Sequence, residues 1–160
     1  MAKRYGQACP VAKTLEVVGD RWTLLVVRDL LSGTRRFQDL LASLPGIAPN
    51  ILSDRLKLME EHGLVRRHFY SEHPPRAEYE LTPRGRELGV VLGALAAWGS
   101  RHVDREARLV GGCGHAVQLG YYCPDCEERV RGADVRVTRA RTRSARRRPA
   151  PAKRAASSSR

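Results

Sequence analysis

Long apolar runs are missing from this 160-residue chain. The longest candidate, V-V-G-D-R-W-T-L-L-V-V-R-D-L-L, is interrupted by Arg28 and Asp29. A bilayer needs about 20 consecutive apolar residues, so no membrane span is expected. The first ten residues, M-A-K-R-Y-G-Q-A-C-P, lack the apolar core of a secretory signal, and a cytoplasmic protein is the expectation. Cysteine is sparse, at four residues. In a reducing compartment these are expected as thiols, metal ligands or redox switches, not as a disulfide framework. A paired acid and base, a phosphate-binding glycine loop and an activated nucleophile are also missing, which argues against an enzyme. Acid is missing from one region only: from Val135 onward there are ten Lys or Arg and no Asp or Glu. The formal net charge of +12 therefore belongs mostly to that segment, and the rest carries nineteen basic against seventeen acidic residues.

Three regions separate by composition. Residues 1–105 show sustained hydrophobic periodicity and form the expected folded domain. Residues 106–132 are Gly-rich and hold three of the four cysteines. Residues 133–160 have almost nothing to bury and repel themselves, so a disordered Arg-rich tail is expected. Such a tail would neutralise phosphates on any nucleic acid without reading its sequence.

Within the first region Pro10 opens a helix that runs through Val11, Leu15 and Val18 to Gly19. A second helix is expected over D-R-W-T-L-L-V-V-R-D-L-L, with Asp20 as its N-cap and Gly33 just past its end. It is apolar around most of its circumference and reads as the central helix. A third, F-Q-D-L-L-A-S-L, places Phe37, Leu40, Leu41 and Leu44 on one side and breaks at Pro45-Gly46. In the fourth, Ile51, Leu52, Leu56, Leu58 and Met59 share one arc, opposite Asn50, Ser53, Asp54, Lys57 and Glu61. Arg55 falls inside the apolar arc and is expected in an ion pair, with Asp39 or Asp29 as partner, in preference to a DNA contact. After His62-Gly63 the period changes to alternation. L-V-R-R-H-F-Y and A-E-Y-E-L read as a β-hairpin with S-E-H-P-P-R at its tip. Thr82 then caps a last helix with Pro83 in its first turn.

Helix, short turn, helix and hairpin is the order of a winged helix-turn-helix, a mainly α fold with a small β wing. In this motif the second helix of the pair enters the major groove of double-stranded DNA. That assigns Asn50, Ser53, Asp54 and Lys57 to base edges and phosphates. The wing contributes Arg66, Arg67, His73 and Arg76, and the start of the third helix contributes Arg35, Arg36 and Gln38. A merely solvated polar face is the competing account of these residues.

Several blocks carry a family resemblance: C-P-V-A-K-T-L-E-V-V-G-D-R-W-T-L-L-V-V-R-D-L-L-S-G, R-R-F-Q-D-L, L-S-D-R-L-K-L-M-E-E-H-G-L-V-R-R and E-Y-E-L-T-P-R-G-R-E-L. From Cys9 to Trp98 the chain resembles the HxlR-type (MarR-related) bacterial transcriptional regulators. The resemblance implies a homodimer on an inverted-repeat operator, more often a repressor, with the first and last helices at the dimer interface. Leu15, Leu88, Val91, Leu92, Leu95 and Trp98 are the residues here that suit such an interface; core packing within the monomer is the alternative use of the last-helix stripe, and the two can share it. The alternative is a nucleoid-type protein whose DNA affinity resides mainly in the tail.

Two features could admit a signal. Cys9 precedes Pro10 at a helix start, where the helix dipole and the nearby Lys3, Arg4 and Lys13 favour a reactive thiolate. Some members of the family carry a redox-sensing cysteine at this C-P site, and an idle thiol is the other reading. In the second region, C-G-H and C-P-D-C supply Cys113, His115, Cys123 and Cys126, a set suited to a structural zinc ion. Unliganded thiols and a C-x-x-C redox pair are the other readings. No set of residues marks a pocket for a small molecule.

Overall fold

A computed structural model of the protein describes residues 5–72 and 75–138. The chain divides into two compact units, one ending at Leu119 and the other beginning at Gly120. The first contains helices α1 (Pro10–Val18), α2 (Thr23–Leu31), α3 (Phe37–Ser43), α4 (Pro49–Glu61), α5 (Pro83–Arg86) and α6 (Leu88–His102). It also contains strands β1 (Arg35–Arg36), β2 (Val65–Glu72) and β3 (Pro75–Leu81). The second contains the short hairpin β4 (Tyr121–Cys123) and β5 (Glu128–Val130), then a 3-10 turn over Gly132–Asp134.

The core of the first unit sits on α2, as its all-round apolar sequence predicts. Val26, Val27 and Leu30 are fully buried among Leu40 and Leu44, Leu52, Leu56 and Met59, and the strand residues Val65 and Leu81. Each such side chain contributes roughly 1.5–3 kcal/mol by leaving water. The helix begins later than the sequence predicts, at Thr23, and Asp20 is not its N-cap. Residues 20–22 instead make a tight turn that ends with Trp22 in the left-handed region, at φ 80°. That turn directs the indole back onto the core, with the Arg21 guanidinium 4.9 Å over its ring. The Asp20 carboxylate is then free for another partner, described below.

β2 and β3 form the expected hairpin, with Val65 opposite Leu81, Arg67 opposite Tyr79 and Phe69 opposite Ala77. A bulge between Phe69 and Ser71 leaves Tyr70 as the extra residue. The sheet gains a third strand that the sequence does not announce. β1 lies antiparallel to β3, pairing Arg35 with Tyr79 and Arg36 with Glu78.

Two glycines are required by geometry. Gly63, at φ 65°, closes α4 so that Leu64 N–H reaches the Met59 carbonyl at 2.8 Å. Gly85 lets the start of α5 press on the chain after α4; a Cβ there would lie 2.1 Å from the Leu64 carbonyl oxygen. Thr82 caps this turn as expected, its Oγ1 accepting the Gly85 N–H (3.1 Å) and donating to the Gly63 carbonyl (2.6 Å). The single last helix read from the sequence is divided at Glu87, where Val90 N–H bonds the Glu87 carbonyl (3.3 Å) and the ladder tightens.

Gly85→Ala is expected to lower stability by about 1–3 kcal/mol, because neither backbone segment can yield to the new methyl group. Urea denaturation followed by circular dichroism measures this, and a midpoint equal to wild type would contradict the described packing.

Candidate nucleic-acid interface

α4 turns its apolar side inward through Leu52, Leu56 and Met59, which are at most 2% exposed. Asn50, Ser53, Asp54 and Lys57 are all exposed on the other side. Ile51 departs from the expected arc: it is 37% exposed, because it sits near the helix start beside the turn of Asp20 to Trp22. Arg55 is half-buried and ion-paired, but with Asp20, not with Asp39 or Asp29. Those two carboxylates serve local needs: Asp39 accepts the Arg36 N–H (3.1 Å), and Asp29 takes Arg28 (2.8 Å) and the Ser43 hydroxyl (2.6 Å). The N-terminus of α4 has Ala48 at its cap and Pro49 at its first position, and no side chain caps it. The backbone N–H groups that follow point outward with the positive end of the helix dipole, an arrangement that favours an anion.

The wing stands beside this face, and strand alternation sorts its residues. Arg67 lines a groove with Ser53, Lys57 and Glu60 of α4. Its neighbour Arg66 points to the opposite face of the strand, toward Glu80 (3.6 Å). Arg67 reaches Glu60 at 4.0 Å and stacks 4.6 Å above the Phe69 ring. Arg35 and Arg36 form the edge strand β1, and Arg36 is also the N-cap of α3, at the opening of that helix as the sequence suggests. Arg36 pairs with Glu78 (3.4 Å) and covers the Tyr70 ring at 5.0 Å. Gln38 and Arg76 are exposed and border a groove of ≈ 720 Å³ between α3 and the wing. His73 lies outside the described residues, as does the chain from Arg139 onward. Arg35, Lys57 and Arg76 have no ion-pair partner among the described residues.

Sequence reading missed two features of this surface. Phe69 and Tyr70 are exposed aromatics, 58% and 46%, that carry arginines on their faces; the run R-R-H-F-Y held the signal. Glu78 and Glu80 of A-E-Y-E-L act as internal counter-charges. Glu80 is held below the usual carboxylate range, first by its hydrogen bond to His68 and then by the charges of His68, Arg66 and Arg86.

The expected dimer residues divide. Leu88 and Leu92 pack against the core of their own unit. Leu15, Val91, Leu95 and Trp98 are 41%, 39%, 51% and 56% exposed. Cys9 is the half-buried N-cap of α1, and its carbonyl accepts the Lys13 N–H (3.0 Å).

Two of the expected zinc ligands belong to each unit. Cys113 and His115 sit on a tight turn closed by the Val110–Ala116 bridge, with Gly114 at φ 81°. Cys123 ends β4, and Cys126 follows it in the turn to β5. The backbone N–H of Cys126, then its side chain and the N–H of Asp125, hold the Cys123 thiol below the usual range, while Cys126 is pushed up. None of the four cysteines is in a disulfide. Among the described residues no group of three or more His, Cys, Asp or Glu is drawn together as a metal cage.

Glu80 is expected to titrate below the ordinary value of 4.5, and His68→Gln to move its midpoint up toward that value. Carboxyl chemical shifts followed against pH measure both, and an unmoved midpoint in the variant would contradict the assigned cause.

Comparison with known proteins agrees with this geometry. The HxlR-like helix-turn-helix family model matches residues 17–107. The HTH-type transcriptional regulator sll1512 of Synechocystis sp. is 41% identical over 102 residues, 64% of this chain and 76% of that protein. The structure of a candidate transcription factor, PA1374 from Pseudomonas aeruginosa, aligns with a TM-score of 0.66 and 38% identity, over 85% of this chain and 95% of its own. The redox regulator HypR in its oxidized form aligns with a TM-score of 0.56 and 33% identity, over 60% and 99%. At 85% of this chain, the PA1374 alignment extends past the residues matched by the family model. The chain belongs to the HxlR-like helix-turn-helix family and is a transcriptional regulator of helix-turn-helix type.

Proposed function

We propose that this protein is a sequence-specific repressor that binds an inverted-repeat operator as a homodimer. One observation carries the reading: α4 exposes Asn50, Ser53, Asp54 and Lys57 on one side while its apolar side is consumed by the core. An α-helix fits the major groove, and Asn can address adenine through two hydrogen bonds while Lys reaches phosphate or guanine. The uncapped start of α4 and the cations of the wing supply contacts that position without specifying. Val11 and Leu15 of α1 and Val91, Leu95 and Trp98 of α6 are large apolar side chains left exposed to water. A second copy would cover them and set two reading helices about 34 Å apart along the duplex. Cys9, at the start of α1, lies on a helix assigned to that interface. The structural neighbour HypR is a redox regulator, which supports a role for Cys9 in coupling oxidation to DNA release.

Selection of bound fragments from genomic DNA is expected to yield a two-fold symmetric site. Asn50→Ala should weaken that site by about 1–3 kcal/mol and relax one base position, whereas Lys57→Ala should weaken operator and random DNA alike. Loss of neither, or selection of no preferred sequence, would leave only non-specific binding. In the same assay an oxidant should release the wild type and spare Cys9→Ser; an equal response removes Cys9 from the mechanism. Leu95→Arg with Trp98→Arg should yield monomers by sedimentation, and an intact dimer would place the interface elsewhere.

A further inference from the structure

α6 ends at His102, and the chain then turns back on itself. Asp104 N–H bonds the Gly99 carbonyl (2.9 Å), and Ala107 N–H bonds the Asp104 carbonyl (3.3 Å). Leu109 to Leu119 form a short hairpin closed by the Val110–Ala116 bridge and by Val117 N–H on the Leu109 carbonyl (3.0 Å). This segment returns to the helix: Leu119 lies 3.4 Å from where a Cβ on Gly93 would stand. Between α6 and the returning segment is a groove of ≈ 590 Å³, wholly inside the first unit. That volume falls in the range of about 300–1,000 Å³ usual for small-molecule sites.

The walls have a definite chemistry. Ala94 and Ala97 of α6 face Ala116 and Leu119, so one part of the recess is small and apolar. The other part carries Arg101, Arg105 and Arg108. All three are exposed, and none of their side chains has an ion-pair or hydrogen-bond partner among the described residues. Neither Asp104 nor Glu106 of the same turn forms an ion pair with them; Asp104 accepts the Glu106 N–H (3.2 Å). Three uncompensated guanidinium groups beside an apolar recess match an anionic head on a compact apolar body. Guanidinium binds carboxylate and phosphate through paired N–H donors, and the alanines leave room for the rest of such a molecule.

We propose that this groove binds a small organic anion, an aromatic or branched body bearing one carboxylate or phosphate, held by Arg101, Arg105 and Arg108 over the Ala94–Ala97 floor. The inference does not rest on DNA recognition, and its test contains no DNA, so failure of one leaves the other standing. The full chain is titrated by calorimetry with 2-naphthoate, 2-naphthyl phosphate and the neutral 2-naphthalenemethanol. At least one anion should bind saturably, and the alcohol at least about tenfold more weakly. The head-group preference between the two anions separates a carboxylate site from a phosphate site. Arg105→Gln with Arg108→Gln should weaken the anion at least about tenfold, and Ala97→Phe should abolish binding by filling the floor. If Ala97→Phe does not fold, the surface arginine variant still decides. Absence of saturable binding by both anions, equal binding of the alcohol, or full affinity in the arginine variant would overturn the proposal. A groove that binds neither anion while Ala97→Phe alters the oligomeric state would be covered by a second copy, and the proposal would fall.

Discussion

Leu52, Leu56 and Met59 anchor α4 in the shared core, and this burial sets the rotation of α4 about its own axis. Each residue along a helix turns the wheel by about 100°, so a rotation of one residue step would draw Ser53 and Lys57 toward the core. Either would be buried without a partner, at a cost comparable to the apolar burial lost elsewhere. The ion pair from Arg55 to Asp20 adds a second anchor, tying the first half of α4 to the turn before α2. With its rotation fixed in this way, the polar side can only face outward. The candidate reading surface is therefore a by-product of core packing.

The electrostatics of the wing follow a different logic. Glu60, Glu78 and Glu80 hold Arg67, Arg36 and Arg66 with His68 across or beside the strands. Exposed pairs of this kind contribute only about 0–1 kcal/mol each. They shape the free wing and can be given up cheaply to a denser array of negative charge such as a phosphate backbone. Arg35, Lys57 and Arg76 have no ion-pair partner among the described residues, so no internal pair has to be broken before they meet an anion. The stacks of Arg36 on Tyr70 and Arg67 on Phe69 limit how far those cations wander while exposed.

α6 divides its surface among three uses. Leu88 and Leu92 join the core, and Val91, Leu95 and Trp98 remain outward. Its small residues serve the third: Gly93 admits Leu119, and Ala94 with Ala97 leaves the recess beside the arginines. A helix with larger side chains at these places would push the returning segment away and close the space. The Gly and Ala content of G-V-V-L-G-A-L-A-A-W-G thus permits close approach, and the approaching element is part of the same unit.

What could be read directly from the amino-acid order is whatever depends on near neighbours. The periodic leucines and valines of α2, α3 and α4, the Pro10 and Thr82-Pro83 starts, the Gly63 stop and the alternating wing all express local rules, and the polar side of α4 follows from them. Four features did not follow, because each depends on residues far apart in the chain. Trp22 adopts a left-handed backbone to reach a core built by other helices, which displaces the helix start to Thr23. Arg55 finds Asp20, 35 residues earlier, while the carboxylates that seemed suited to it are taken locally. Arg35 and Arg36 become an edge strand only because β3 offers free backbone groups beside them. The arginine-rimmed groove exists only where the segment after α6 folds back on that helix. Short-range propensity and spacing determined the elements and their faces; tertiary packing decided which partners the charged residues take, because an ion pair or a groove wall is chosen by distance in space.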